Sequence, residues 1–312
     1  MTPTALQTTP AYYRNVTGVR ALRWAMAATQ RLWPTLAVRA AYRLFGTPLP
    51  LRRPARNAPW GAHWRVERWP FEDAEITLYR HRAAQGPTAL LLHGWGGQAG
   101  QMQRLADALA DGGLAPVLVD MPAHGRSRGR VSNLPQFSRA LEYVAERLRA
   151  EGASLGAVVA HSLAANAAAH AASRGLPADR LVLLAPPASP HEFTRLFAQV
   201  FGLTEHTRAA MQQRIEAREG ILMRQFEPAA VGPRVAVPTL VVHDRGDRVN
   251  RLADGEAFRD AIAGARLLVT EGLGHRGMLQ APEVLQAVAA FAQAAPAPGK
   301  QDEQALTSPH FS

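Results

Sequence analysis

The chain has 312 residues, 47% of them apolar, enough for one large domain with a sizeable core, and it contains no cysteine. Disulfides, thiolate metal sites and a cysteine nucleophile are therefore excluded, the cytoplasm is the expected compartment, and the single lysine, Lys300, lies too near the C-terminal end for Schiff-base chemistry in a buried pocket. The formal net charge of +10 does not mark a nucleic-acid binder: ten arginines precede the first acid, Glu67, and from there on 25 basic residues face 25 acidic ones.

Residues 1–17 and the tail 295–312 are polar, Pro-containing and without apolar periodicity, which predicts disorder. Between residues 18 and 45 the periodicity is helical. Leu22, Met26, Trp33, Leu36, Ala40 and Leu44 fall within about a quarter-turn at ~100° per residue, with Arg20, Arg23 and Arg31 opposite. Pro34 is expected to break this helix, since its ring removes an N–H and clashes with the preceding turn. Arginines every few residues argue against a membrane span, and the lack of an uninterrupted apolar run argues against a signal peptide. This basic extension, 1–60, has two readings: its apolar stripe packs on the body with the arginines in water, or residues 18–45 make a peripheral contact with anionic membrane. The interruption of the apolar stripe by Pro34 favours packing.

Two alternating runs, 63–69 and 75–81, then predict an antiparallel pair of strands. From 88 the pattern changes to short, almost purely apolar runs at 88–92, 115–119, 156–160, 180–184, 239–242 and 266–269, alternating with helical stretches at 101–111, 134–150, 163–174, 255–263 and 283–294. Strands apolar on both faces and separated by helices predict an α/β fold with a doubly wound, mostly parallel sheet. One gap breaks the alternation. Residues 188–232 are rich in apolar side chains but carry no strand signal, and are read as a small helical cap inserted into a core formed by 61–187 and 233–294.

The run 156–160 leads into His161-Ser162-Leu163 and then an Ala-rich helix, which sets Ser162 on a sharp strand-to-helix turn. Taken alone, that serine is equally a helix cap. The segment resembles the G-x-S-x-G nucleophile elbow of α/β-hydrolase-fold esterases and lipases, with Ala160 and Ala164 where glycines are usual. His93-Gly94-Trp95-Gly96-Gly97 is similar to the family's H-G-x-G oxyanion loop. His243-Asp244-Arg245-Gly246-Asp247-Arg248-Val249 is similar to the segment bearing its acid, and Gly272-Leu273-Gly274-His275 places a histidine after the last strand. Asp120-Met121-Pro122-Ala123-His124-Gly125-Arg126-Ser127 resembles the family's D-x-P-G-H-G-x-S turn, with Ala123 replacing a glycine; Asp120, His124 and His161 are assigned to structure.

The resemblance covers residues 63–294 and implies a serine hydrolase. Ser162 would be the nucleophile, His275 the general base and Asp247 the orienting acid, with Asp244 its rival, while the backbone N–H groups of Trp95 and Leu163 would hold the oxyanion. No metal or organic cofactor is called for. Phe193, Phe197 and Met223 are the expected pocket residues, and an apolar carboxylic ester is the first substrate class. The same scaffold carries thioesterases, lactonases, acyltransferases and carbon–carbon hydrolases, and a non-catalytic ligand-binding relative is the reading from another class.

Overall fold

Eight strands pair into one sheet: β1 (Trp64–Phe71), β2 (Ala74–His81), β3 (Thr88–Leu92), β4 (Ala115–Asp120), β5 (Leu155–His161), β6 (Leu181–Leu184), β7 (Thr239–Asp244) and β8 (Arg266–Thr270), in the order β1-β2-β4-β3-β5-β6-β7-β8. The computed structural model describes residues 18–48 and 60–294; the disorder expected for 1–17 and 295–312 concerns positions outside the described residues, and the stretch 49–59 lies outside them as well. β1, β2 and β4 are joined antiparallel, and every other pairing is parallel. The apolar strands β3, β5, β6 and β7 are buried along their whole length, as a sheet covered on both faces requires.

The helices are α1 (Val19–Leu32), α2 (Pro34–Phe45), α3 (Gln103–Asp111), α4 (Leu134–Ala150), α5 (Leu163–Ser173), α6 (Pro190–Phe201), α7 (Glu205–Glu219), α8 (Pro228–Val231), α9 (Leu252–Ala261), α10 (Gly274–Gly277) and α11 (Pro282–Gln293). On one face of the sheet Phe137, Leu141 and Val144 of α4, the alanines of α5 and Phe258 of α9 fill the core; on the other, Leu105 and Leu109 of α3 meet Val284 and Val288 of α11. α5 is Ala-rich because it is buried between α4 and the sheet, where small side chains permit close approach. The stretch between β6 and β7 is helical. α6 and α7 bury Phe197, Val200, Phe201, Met211 and Ile215 in a third cluster, together with Met26, Ala37 and Ala41 of α1 and α2.

Pro34 does break the N-terminal helix, at Trp33 (φ −141°, ψ 72°). The consequence corrects the sequence reading of a single apolar stripe. The break rotates the second helix relative to the first, so α1 packs through Leu22 and Met26 and α2 through Ala37, Ala41, Leu44 and Phe45, while Trp33 and Leu36 are exposed. Arg23, expected in water, turns inward instead and donates to the carbonyls of Gln199 and Val200 at the C-terminal end of α6, where a cation complements the helix dipole.

Leu91 sits fully buried in β3, between β4 and β5. Leu91→Ala is expected to lower unfolding stability by about 3–4 kcal/mol through lost transfer energy and a residual cavity. In urea titration this appears as a lower midpoint with an unchanged slope.

Candidate active site

Ser162 stands between β5 and α5 with φ 56° and ψ −125°, a backbone conformation that residues bearing a side chain rarely adopt. Two hydrogen bonds fix the turn: Ser162 N–H donates to Leu184 O at 2.8 Å and Ala165 N–H donates to Ser162 O at 2.8 Å. The loop after β3 passes directly against it. A Cβ on Gly94 would lie 2.8 Å from Ser162 Cβ, so only glycine allows this approach.

His275, in the short α10 after β8, brings its Nε2 to 3.1 Å from Ser162 Oγ and its Nδ1 to 2.7 Å from Asp247 Oδ2. With Nδ1–H donating to the carboxylate, Nε2 is left as the acceptor facing the serine hydroxyl, a tautomer assigned from these bonds. The side chains of His275 and Asp247 are almost wholly withdrawn from solvent, which strengthens their interaction.

Asp244, the last residue of β7, and Asp247, in the loop that follows, divide the work. Asp247 Oδ1 accepts from Val249 N at 2.7 Å and Asn250 N at 3.1 Å, which leaves Oδ2 for the imidazole. Asp244 faces away from the ring; it accepts from Thr270 Oγ1, Leu273 N, Gly274 N and Gly246 N at 2.9–3.0 Å. Burial opposes its charge, but these four donors outweigh burial and hold its carboxyl below the usual range. Asp244 thus ties down the chain immediately before His275.

His161, assigned from the sequence to structure as a packing or hydrogen-bonding residue, is a positioning group. Its Nε2–H donates to the backbone carbonyl of His275 at 2.9 Å, and the two rings lie 4.6 Å apart. Its position directly before the serine was the available signal. His93 and His124 form a second pair beneath the loop. His93 Nδ1 donates to Gly94 O at 2.7 Å and its Nε2 accepts from Met121 N at 3.0 Å; His124 Nδ1 donates to Pro122 O at 2.8 Å and its Nε2 accepts from Gly96 N at 3.0 Å. Each ring has one donating and one accepting nitrogen, so each is neutral. Burial drives His93 down, His161 well down, and His124 to about 3. Asp120 accepts from Tyr79 OH, Ala99 N and Arg126 N at 2.7–2.8 Å, and so links β2, the loop after β3 and the turn after β4.

Those bonds decide which amides remain at the site. In the loop after β3 the Gly96 N–H goes to His124 and the Gly97 N–H to Gly94 O. Trp95 N–H donates to none of the described residues, and Leu163 N–H belongs to the first turn of α5, where helix geometry supplies no partner. Trp95 and Leu163 also line an apolar cavity completed by Phe45, Leu134, Phe193, Ile215, Met223 and Phe226. A narrow cleft on the other side is lined by Gly97, Gln101, Ser162, His275 and Arg276. Of the expected pocket residues, Phe193 and Met223 are on the cavity wall. Phe197 is not: it is fully buried among α1, α2, α6 and α7, edge-on to Phe45 at 5.2 Å. Phe45, from the N-terminal extension, faces the cavity in its place.

The model of the alpha/beta hydrolase family matches residues 89–288. A pimeloyl-[acyl-carrier protein] methyl ester esterase of Chromobacterium violaceum is 35% identical over 120 residues, 38% of this chain and 44% of that protein, so the chain spans less than half the length of this curated relative. Among solved structures, an esterase of Pyrococcus furiosus is similar with a TM-score of 0.56 at 18% identity, over 73% of this chain and 91% of its own. A membrane phospholipase A described as a bacterial virulence factor gives 0.55 at 19% identity, over 89% and 97%. At these identities the structural likeness is one of fold.

The buried histidines make stability pH-dependent. In the unfolded chain each titrates near 6.5, whereas folding holds His93, His124 and His161 neutral to lower pH, so the unfolded state binds more protons below 6.5. The stabilisation is present in full above that value and is lost as pH falls toward the folded values, at ~1.4 kcal/mol per pH unit for each imidazole. Melting temperatures should hold between about pH 7.5 and about pH 6.5 and fall steadily from there to about pH 5; a flat profile would contradict neutral burial of the three rings.

Proposed function

Given that the chain belongs to the alpha/beta hydrolase family and is a hydrolase with esterase relatives, we propose that it cleaves a carboxylic ester through a covalent acyl-enzyme on Ser162. The observation that carries this reading is the chain of two hydrogen bonds from Ser162 Oγ through His275 to Asp247, at 3.1 Å and 2.7 Å. In this reading His275 Nε2 takes the hydroxyl proton as Ser162 Oγ attacks the ester carbonyl. Asp247 stabilises the imidazolium, and the imidazolium returns the proton to the departing alcohol. Water, deprotonated by the same imidazole, then releases the acid. The amides of Trp95 and Leu163 hold the oxyanion, each commonly worth ~3–4 kcal/mol.

The cavity beside Trp95 and Leu163 suits an apolar acyl chain, and the narrow cleft on the His275 side suits a small leaving alcohol. A methyl ester, the bond named for the Chromobacterium relative, has that shape. Residues 188–232 serve in this account as a cap over the core formed by 61–187 and 233–294, supplying Phe193, Ile215, Met223 and Phe226 to the acyl site. No described helix is long and apolar enough to cross a membrane; together with the cysteine-free composition, the reading is of a cytoplasmic enzyme that needs no cofactor.

The direct test is labelling by a fluorophosphonate probe alongside turnover of p-nitrophenyl esters. Wild type should label and turn over, and Ser162→Ala should do neither while melting normally. A wild type that fails both, or a variant that keeps both, ends the proposal.

Acyl selectivity gives a second test. Phe193→Ala removes apolar contact from the acyl site, which should lower kcat/KM for an octanoyl ester by about tenfold. The acetyl ester, too short to reach it, should be unaffected; equal losses on both esters would place the acyl group elsewhere.

A further inference from the structure

We propose that the outward surface of α1 and α2 docks this protein on an anionic lipid bilayer, with the elbow at Trp33 entering the interface. The observation is a concentration of exposed apolar side chains that the core does not use. Trp24 is 78% exposed, Leu32 61%, Trp33 59% and Leu36 53%, and these are four of the seven large hydrophobic residues exposed in the described chain. They fall within 13 consecutive positions. On α1 the exposed residues Arg20, Trp24, Ala28 and Leu32 form one i, i+4 row, with Ala27 and Arg31 beside it; on α2 Leu36, Arg39 and Arg43 follow at i, i+3 and i+7. Both rows point away from α6 and α7, because Met26, Ala37 and Ala41 occupy the packed side.

The charge selects the occupant. Arg20, Arg31, Arg39 and Arg43 are all exposed, and none is ion-paired with a described residue. No Asp or Glu occurs before residue 67. The acids of the packed helices α6 and α7 are engaged elsewhere: Glu192 pairs with Arg251, Glu205 with Arg208 and Glu219 with Arg139, and Glu216 accepts from Gln212 and Met223 N. Stretches 1–17 and 49–59 bring four more arginines and no acid, so neither could neutralise the surface, and a second copy would set arginines against arginines. Two tryptophans and two leucines amid exposed guanidinium groups match the headgroup region of an anionic bilayer, where indole rings sit at the interface and arginines meet phosphates.

The position gives docking a purpose. Phe45, the last residue of α2, lines the apolar cavity, and Arg23 of α1 holds the C-terminal end of α6, whose Phe193 lines the same cavity. A docked elbow would therefore hold the cavity close to the membrane, and the substrate class becomes a long-chain acyl ester partitioned into the bilayer. That substrate assignment rests on the ester reading; the docking does not.

Flotation of the full chain with vesicles tests it. At low salt it should float with vesicles of equal parts phosphatidylcholine and phosphatidylglycerol, stay behind with phosphatidylcholine alone, and be released by high salt. The double variant Trp24→Ser, Trp33→Ser, which alters only exposed side chains and should keep its melting temperature, should partition ~tenfold or more weakly. Arg31→Gln with Arg39→Gln should lose the dependence on phosphatidylglycerol. No flotation at low salt, undiminished binding by the tryptophan variant, or a wild-type dimer that this variant splits into monomers would each overturn the proposal. Ser162→Ala should float like wild type, whereas a wild type that floats but neither labels nor turns over esters would sink the ester reading and leave docking intact.

Discussion

The backbone at Ser162 is the constraint on which the rest of the site depends. A residue with a side chain is held at positive φ between a buried strand and a buried helix, and such strain persists only when its surroundings over-determine it. Here β6 takes the amide of Ser162, the first turn of α5 takes its carbonyl, and Gly94 leaves just enough room in front. Everything else at the carboxyl edge of the sheet is arranged around that fixed oxygen. Asp244 anchors the chain before His275, His161 holds the carbonyl of His275 itself, and Asp247 turns the ring. Asp120, His93 and His124 do the same for the loop that presents Trp95. Side chains that touch no substrate in the proposed mechanism set where the proposed catalytic ones stand, and their burial keeps the histidines neutral and their hydrogen-bond directions fixed.

Much of this was legible in the sequence, for identifiable reasons. A strand buried on both faces must be apolar at every position, so β3, β5, β6 and β7 announce themselves, and the helices between them follow from period and length. Asp247 precedes the apolar Val249 by two residues, and that spacing has a visible cause, since Asp247 Oδ1 accepts from the amide of Val249. What the sequence hid was anything that depends on how separate elements meet. One helical wheel drawn through residues 18–45 cannot show that the break at Trp33 turns its two halves, so Trp33 and Leu36 were assigned inward and Arg23 outward. Phe197 and Phe45 are indistinguishable by composition, and only the packing of α2 on α7 decides which one faces the cavity. Nor can a sequence show that His161 reaches the backbone of a residue 114 positions away.

The N-terminal extension joins the two themes. Its inner face completes a cluster with α6 and α7 and contributes Phe45 to the proposed acyl site; its outer face carries four exposed arginines, Arg20, Arg31, Arg39 and Arg43. A segment doing only the first of these tasks would have no need for exposed tryptophans.

The central claim is that His275 is oriented by Asp247 and merely positioned by Asp244. The most direct measurement is the rate of phosphonylation of Ser162 by a fluorophosphonate in Asp247→Asn and Asp244→Asn, with melting curves for both. The account predicts a fall of ~10⁴-fold for Asp247→Asn with the fold intact, against a rate within about tenfold of wild type for Asp244→Asn, accompanied by a lower melting temperature from weakened hydrogen bonds. The opposite order, with Asp244→Asn inert and Asp247→Asn reactive, would contradict it.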